Sequence, residues 1–187
     1  MKRIQNKYDL VVVGGGHAGI EASLIAHKRG VKTILVSMDK NSVGRTSCNP
    51  AVGGLAKGQM VKEVDVLGGI MGFFADLSTL QSKTLNKSKG RSVWSPRSQI
   101  DKNLYEKIAQ EHIKEQNLDV LEGEVVSLDV KNSSISGVFL KDGSRIVCSS
   151  VILTCGTFLN GLIHIGSKQI NAGRYGEKRA EGITENL

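Results

Sequence analysis

The chain has 187 residues, 40% of them hydrophobic, which suits one large domain or one domain with an insertion. Its formal net charge of +7 favours RNA or an anionic cofactor as a partner, although a solvated lysine-rich surface accounts for the charge as well. No segment reaches the ~18 apolar residues of a membrane span, and the three cysteines lack metal-ligand spacing. We therefore expect a cytoplasmic protein without a membrane contact, a disulfide framework or a metal site.

The N-terminal region predicts a βαβ unit. Tyr8–Val13 is a short β-branched run that ends in glycines, as a buried parallel strand does. Apolar residues at helical spacing follow, Gly30 ends that helix, and Lys32–Ser37 is the second strand.

The middle of the chain is predicted to be an insertion of loops and helices over about residues 38–95. A glycine-rich loop leads into a helix that breaks at Gly68–Gly69, and a second short helix follows. Ser95–Pro96 predicts the start of another helix, because proline suits the first helical turn. Its predicted apolar stripe consists of Ile100, Leu104 and Ile108, with Tyr105, Ala109 and Ile113 on a flank.

The C-terminal part predicts a three-stranded β-meander over about residues 124–148, with Asp142–Gly143 as a hairpin turn. Val151–Gly156 is then predicted to return to the main sheet as a separate strand. The order of elements predicts an α/β fold, Rossmann-like and three-layered as in FAD/NAD(P)-binding proteins, with a β-meander and a helical insertion.

The turn after the first strand carries the spacing G-x-G-x-x-G. Gly14 permits the tight turn, Gly16 lets the backbone approach a pyrophosphate, and Gly19 lets the helix pack close to the strand. The positive end of the helix then faces the phosphates. The predicted dinucleotide-binding residues are Gly14, Gly15, Gly16, His17, Ala18 and Gly19.

Two residues around this motif have open roles. His17 either bonds a phosphate or the cofactor, or is a packing or solvent-facing histidine. An acid that grips the ribose is expected at the end of the second strand, where the chain has Ser37. Ser37 can make one weaker hydrogen bond, and Asp39 substitutes if the strand ends late, so the ribose contact stays open.

The meander favours FAD over NAD as the cofactor. In flavoproteins with two dinucleotide sites, a β-meander precedes a strand that ends in a Thr-Gly type of turn beneath the cofactor. Thr154 to Thr157, with Gly156 at its third position, resembles that turn. Val125, at the start of the meander, lies where such folds pass their backbone near the adenine.

Several motifs together resemble the MnmG (GidA) family, the FAD-dependent tRNA uridine 5-carboxymethylaminomethyl modification enzymes. They are SCNPAVGGLAKG, VKEVDVLGG, NKSKG, PRSQID and GTFLNGLIHIG, and the resemblance covers essentially the whole chain. One departure is Arg91–Ser92, where the family usually has Pro-Ala.

The resemblance implies a function, cofactors and partners. The family uses FAD, NADH as reductant and methylenetetrahydrofolate as the one-carbon donor, and it acts on the wobble uridine of tRNA. It works as a homodimer with an MnmE-type GTPase. Its members continue well beyond 187 residues, so the chain is expected to be their N-terminal FAD-binding part. A small-molecule flavin/NAD(P)H oxidoreductase and an inactive FAD-binding fragment remain alternatives.

By the same match, Cys48 is the catalytic residue. Backbone N–H groups in a glycine-rich loop can stabilise a thiolate, and a thiolate can add to C6 of uracil and activate C5. Cys48 could instead carry or protonate an intermediate, or only pack. Lys87–Arg91 with Arg97 could contact RNA phosphates or be a solvated loop, and Trp94 could stack on a base or pack.

Overall fold

The computed structural model describes residues 3–47 and 49–187, with side chains from Lys7 onward. It divides into two compact units. The first unit comprises Met1–Asn41 and Leu118–Leu187, and the second comprises Ser42–Asn117. In the described part of the chain, no helix combines the length and apolar character needed to cross a bilayer.

The elements follow one another as βαβ, a mixed segment, and a mainly β C-terminal part. The strands are β1 (Arg3–Val13), β2 (Thr33–Ser37), β3 (Ala51–Gly53), β4 (Thr79–Leu85), β5 (Ser95–Ile100), β6 (Asp119–Glu122), β7 (Val125–Lys131), β8 (Ser134–Leu140), β9 (Arg145–Leu153), β10 (Leu162–Ile165) and β11 (Lys168–Asn171). The helices are α1 (His17–Lys28), α2 (Gly58–Val66), α3 (Met71–Ser78), α4 (Lys102–Glu115) and α5 (Ile183–Asn186).

The first unit is built on a six-stranded sheet in the order β6-β2-β1-β9-β8-β7. The strands β6, β2, β1 and β9 are parallel, and β8 and β7 continue the sheet antiparallel. Val13 pairs with Val36 and with Leu153, and Ser37 pairs with Glu122. The carboxyl ends of four strands therefore meet at one edge, where open α/β sheets bind ligands. The predicted α/β class with a parallel sheet is confirmed.

The core of this unit forms where the meander packs on the parallel strands. Every residue of β2 is buried, as its run of β-branched and apolar side chains predicts. One cluster joins strands β1 and β2 to the meander: Tyr8, Val11, Val13, Ile34, Val36, Val125, Val138, Leu140, Ile146, Cys148 and Ile183. Each large aliphatic side chain fully buried in this way stabilises the fold by about 1.5–3 kcal/mol.

The prediction of two separate strands around Ser149–Ser150 was wrong, because β9 runs unbroken from Arg145 to Leu153. Within this strand, Ser149 Oγ donates a hydrogen bond to the Asp9 carbonyl at 2.9 Å. Ser150 pairs with Leu10 of β1. The same strand thus closes the meander and joins the parallel sheet.

The second unit contains a three-stranded antiparallel sheet in the order β3-β5-β4, with α2, α3 and α4. The helix predicted to start at Ser95–Pro96 was wrong, because those residues begin β5. Helix α4 starts after Asp101, whose Oδ1 accepts the N–H groups of Asn103 and Leu104 at 2.9 and 3.1 Å. An aspartate N-cap satisfies these orphan donors better than the proline start that we predicted.

The buried face of α4 also differs from the predicted stripe. Tyr105, Ala109 and Ile113 are buried, whereas Leu104 is exposed. Phe74 of α3 packs edge-on against the Tyr105 ring, with centroids 5.8 Å apart. The face that we placed on the flank is therefore the one that forms the core of this unit.

Candidate functional site

The predicted phosphate loop lies at the carboxyl edge of the first unit's sheet, between β1 and α1. Gly14 has a φ of +111°, a conformation that glycine adopts without strain. Its N–H donates to the Val36 carbonyl at 2.8 Å, which ties the loop to β2. A Cβ at this position would lie 2.5 Å from the Thr154 carbonyl oxygen, so a larger residue has no room.

The first turn of α1 has N–H groups that no side chain caps. Gly16 is the N-cap and provides no side-chain hydrogen bond, and no acidic residue lies in the first turn. Such an end presents unsatisfied donors and a partial positive charge to an anion. A Cβ on Gly16 would meet no atom within 4 Å in the described protein. Packing therefore does not require glycine at this position. The open space beside its backbone is what is expected where a diphosphate approaches.

Gly19 has the opposite surroundings. It is buried in α1, and a Cβ on it would lie 1.8 Å from the Gly14 carbonyl oxygen and 2.9 Å from Thr154 Oγ1. The helix can approach the loop this closely only with hydrogen at that position. This is the packing role that the spacing predicts for the third glycine.

Thr154 fastens the loop to the end of β9, a role that the sequence did not assign to it. Its Oγ1 lies 2.8 Å from the Val13 carbonyl and 3.0 Å from the Gly14 carbonyl, and its N–H also donates to Val13. The threonine hydroxyl donates its one proton to this pair of oxygens. The sequence feature that could have identified Thr154 is its position at the end of a strand, two residues before Gly156.

The turn that follows leads to a second segment beside the loop. Gly156 has a φ of +59°. Thr157 Oγ1 donates to the Gly173 carbonyl at 3.1 Å, and Gly173 lies against the Phe158 ring. The guanidinium of Arg174 lies over that ring at 4.9 Å. These contacts hold a cation next to the turn at the end of β9. Sequence reasoning missed Arg174 because it is far along the chain from the phosphate loop.

The charge of Arg174 acts on the phosphate loop. Burial lowers the pKa of His17, and the positive charge of Arg174 lowers it further. His17 is therefore neutral near pH 7, with one ring nitrogen as a donor and one as an acceptor. Arg174 Nη1 also lies 3.9 Å from Glu177 Oε2, so a carboxylate partly balances this cation.

This pKa shift predicts a pH dependence of stability. An unfolded His17 binds a proton near pH 6.5, whereas the folded state resists protonation. The unfolded state then binds more protons below that pH, so the contribution of His17 to stability falls as the pH decreases from about 7 to 5. As the pH decreases over this range, we expect the melting temperature of a His17→Gln variant to fall less steeply than that of the wild type. Parallel curves for the two proteins would contradict the shifted pKa.

The ribose position differs from the simplest expectation. Ser37 is buried at the end of β2, and its Oγ donates to the Asp39 carbonyl at 2.9 Å. On the neighbouring strand, Glu122 pairs with Ser37 in register. Glu122 Oε2 accepts the Lys40 N–H at 3.3 Å, so this carboxylate lies over the turn that follows β2. Because β2 ends at Ser37, the strand does not extend to Asp39, and the acid in register with its last residue is Glu122 of β6.

The predicted adenine contact lies beside a pocket. The side chain of Val125 is buried, which leaves its backbone as the part that can meet a ligand. The pocket has a volume of about 420 Å³. Its lining residues are Leu121, Glu122, Gly123, Glu124, Leu140, Lys141, Asp142 and Ser144. Within the described protein, Glu124 Oε1 is buried without a hydrogen-bond partner, while Oε2 accepts from Lys141 at 2.8 Å.

The cysteines divide into three cases. Cys48, the predicted catalytic residue, lies outside the described residues. Cys148 is in the hydrophobic core, and Cys155 is half-buried with Sγ 4.0 Å from the Val13 carbonyl. Burial raises the pKa of both thiols, so neither is a thiolate near neutral pH. No group of three His, Cys, Asp or Glu side chains among the described residues could hold a metal ion.

Comparison with protein families gives one match over nearly the whole chain. The family model is described as "Glucose inhibited division protein A" and matches residues 9–187. A relative from Endomicrobium trichonymphae, named "tRNA uridine 5-carboxymethylaminomethyl modification enzyme MnmG", is 45% identical over 98% of this chain and 31% of its own length. The protein of that name from Aquifex aeolicus is 45% identical over 99% of this chain and 30% of its own.

Solved structures agree with the sequence match. The structure of Aquifex aeolicus GidA in its form II crystal has a TM-score of 0.92 and 45% identity, and it matches 97% of this chain and 30% of that one. The GidA-related protein from Thermus thermophilus has a TM-score of 0.64 at 16% identity over 96% of this chain and 67% of its own, which indicates a shared fold. The chain thus spans about 30% of the length of the MnmG relatives that it matches.

Proposed function

Because the chain belongs to the glucose inhibited division protein A family, we propose that it is the FAD-binding part of a tRNA-modifying enzyme. The reaction is the addition of a carboxymethylaminomethyl-type group at C5 of the wobble uridine. The observation that carries this proposal is the match over residues 9–187, together with relatives at 45% identity whose names state that activity. We also propose that residues 1–187 form one FAD-binding domain, with the insertion at about 38–95 and the meander at about 124–148.

The phosphate loop supports FAD as the cofactor. The uncapped N–H groups of α1 and the open space over Gly16 suit a diphosphate, and Arg174 adds a positive charge nearby. Gly14, Gly15, Gly16, His17, Ala18 and Gly19 would hold the diphosphate, with Gly156 beneath the cofactor. FAD supplies two-electron chemistry when bound, and NADH is the proposed reductant. The chain's own contribution is to bind, orient and charge-balance the cofactor.

The adenosine end of FAD would lie along the ends of β2 and β6. Ser37 can accept a hydrogen bond there, although its proton is held by Asp39. The Glu122 carboxylate, oriented by the Lys40 N–H, suits the ribose hydroxyls. The backbone of Val125 would meet the adenine ring. These contacts use groups that the fold already positions at the carboxyl edge of the sheet.

Cys48 is the proposed catalytic residue. As a thiolate it would form a bond from sulfur to C6 of the uracil, and the electron pair of the C5–C6 double bond would move to C5 and O4. C5 would then attack the methylene carbon of methylenetetrahydrofolate in its iminium form, so that a C5–CH₂ bond forms while the C=N electron pair moves to the folate nitrogen. An amine would later bond to that carbon as its bond to the folate nitrogen breaks, which releases tetrahydrofolate. Loss of the C5 proton and departure of the thiolate would restore the double bond. The assignment of this role to Cys48 rests on the family resemblance alone.

The proposed partners follow from the same family. They are tRNA, an MnmE-type GTPase and a second copy of the chain, in the cytoplasm. Because the chain spans about 30% of its relatives' length, these are proposals for the whole enzyme. The same fraction supports a second candidate function, a flavin-binding chain that is inactive alone.

Nucleoside analysis tests the proposed function. We expect tRNA from cells that lack the gene to lose its modified wobble uridines, as measured by mass spectrometry of digested tRNA. Expression of the 187-residue chain in that strain separates the two candidates. Restored nucleosides indicate an enzyme that is active alone, and unmodified uridines indicate the flavin-binding chain. Unchanged wobble uridines in the strain that lacks the gene would contradict both.

A further inference from the structure

The β4–β5 hairpin of the second unit projects a loop that is rich in positive charge. Residues 83–85 of β4 pair with residues 95–97 of β5, and two short 3₁₀ turns lie between them, at Lys87–Lys89 and Arg91–Val93. The tip has left-handed backbone at Asn86 and a φ of +96° at Gly90. The backbone of the loop is thus held in tight turns, and its side chains point outward to solvent at most positions.

The hairpin carries basic residues without acidic ones. Between positions 79 and 98 there is no aspartate or glutamate. The basic residues in the same segment are Lys83, Lys87, Lys89, Arg91 and Arg97. The first four are exposed, and in the described part of the chain none of the five forms an ion pair with a carboxylate. Elsewhere in this unit, cations do pair: Arg45 lies 3.6 Å from Glu106 and Lys107 lies 3.8 Å from Glu111.

Two of these cations stand directly opposite each other. Lys83 of β4 and Arg97 of β5 are register partners. Like charges at such positions destabilise a sheet, so this arrangement opposes folding unless an anion lies between them. The stem of Arg97 packs near Gly54, where a Cβ would lie 3.6 Å from Arg97 Cδ. The aliphatic stem of Arg97 is therefore held in place by packing, while its backbone lies in register with Lys83.

Trp94 gives the same loop an aromatic face. Its side chain is 40% exposed, and its Nε1–H donates to the Lys87 carbonyl at 3.2 Å. The Arg91 guanidinium lies 5.8 Å from the ring. A hydrogen bond at one edge and a cation over one face fix the indole at the surface, and the opposite face is the one on which a base would stack. A base could stack on a ring held in this way.

We propose that the β4–β5 hairpin is an RNA-binding surface, with phosphates between Lys83 and Arg97 and at the loop lysines, and one unpaired base stacked on Trp94. The proposal rests on the proposed function, since it assigns to tRNA a surface of this chain. Charge complementarity favours RNA, because five cations without a carboxylate partner and one exposed aromatic ring lie on the same hairpin. An acidic protein surface would use the charge but not the ring.

Fluorescence anisotropy tests the phosphate contacts, with the purified 187-residue protein and an RNA stem-loop that has a uridine at the wobble position. The variant carries Lys87→Gln, Lys89→Gln and Arg91→Gln. Its matched control carries Lys102→Gln, Lys107→Gln and Lys114→Gln, which removes three exposed charges from α4. Each lost phosphate contact to a single strand reduces the slope of log K against log salt by about 0.7, so we expect a slope smaller by about 2 for the hairpin variant. The control should keep the wild-type slope.

Trp94 has its own test in the same assay. Trp94→Ala should weaken binding of the stem-loop by about 5- to 150-fold, the range for loss of one stacked base. Trp94→Phe should retain most of the affinity. A fully paired RNA of equal charge should bind the wild type and Trp94→Ala equally, because it offers no unpaired base.

Three results would overturn the proposal. The first is an equal reduction of the salt slope in the hairpin and α4 variants, and the second is an equal loss of affinity for paired and unpaired RNA in Trp94→Ala. The third is displacement of the RNA by poly-glutamate at constant ionic strength. FAD binding is measured in the same samples by flavin fluorescence. Failure of RNA binding with FAD bound would reject the hairpin assignment alone. Failure of FAD binding with RNA bound would reject the cofactor proposal alone.

Discussion

Replacing Gly19 with alanine should strongly weaken FAD binding and destabilise the first unit. The added Cβ would lie 1.8 Å from the Gly14 carbonyl oxygen, so either α1 or the phosphate loop must move. Overpacking of this kind costs about 1–3 kcal/mol and lowers the melting temperature by about 2–12 °C. A displaced loop loses at least two charge-assisted hydrogen bonds to the diphosphate, and we expect FAD affinity to fall about 100-fold or more. Calorimetry and flavin fluorescence measure the two effects.

Two matched glycines separate packing from ligand contact. Gly16→Ala should melt like the wild type, because its Cβ meets nothing within 4 Å in the described protein, yet it should still lose FAD affinity. Gly30→Asn, at the other end of α1, should keep both properties, since asparagine tolerates the φ of +80° found there. Normal FAD binding by Gly16→Ala would mean that the open space over the loop is not where the diphosphate lies.

Replacing Cys48 with alanine should eliminate wobble-uridine modification while FAD binding persists. Loss of the nucleophile removes the covalent step, so modified nucleosides should fall to the level of a strain that lacks the gene. Mass spectrometry of tRNA from cells that carry the variant gene measures this. Flavin fluorescence of the purified variant measures cofactor retention.

Cys155→Ala is the control for the thiol chemistry. Burial raises the pKa of the Cys155 thiol, and this residue lies at the end of β9 without a catalytic assignment. We expect near-normal modification from it. Wild-type levels of modified uridine in cells with Cys48→Ala would reject the assignment of Cys48. Loss of modified uridine with Cys155→Ala would indicate that the essential thiol is in the turn after β9.

The βαβ unit could be predicted from sequence because local signals agree there. The β-branched run of β1, the glycine turn and the apolar spacing of α1 all indicate the same structure, and packing has nothing to override. At Ser95–Pro96 the local signal misled, since a proline that suits a first helical turn also suits a strand whose neighbours leave its nitrogen unpaired. Asp101 was the stronger cap, and its hydrogen bonds decide where α4 starts.

The site was predictable only where one segment carries it. Gly14, Gly16 and Gly19 have the surroundings that their spacing predicts. Thr154 and Arg174 reach the loop from more than a hundred residues away, through the register of β9 and the stacking on Phe158, and no local pattern encodes such proximity. The carboxylate of Glu122 lies near Ser37 for the same reason, since strand order places β6 beside β2.

The most direct measurement is a crystal structure of the protein grown with excess FAD. We expect diphosphate oxygens at about 2.7–3.2 Å from the N–H groups of Gly16 to Gly19, in the open space beside the Gly16 backbone. A flavin bound elsewhere, or a phosphate loop left empty while FAD saturates the crystal, would contradict it.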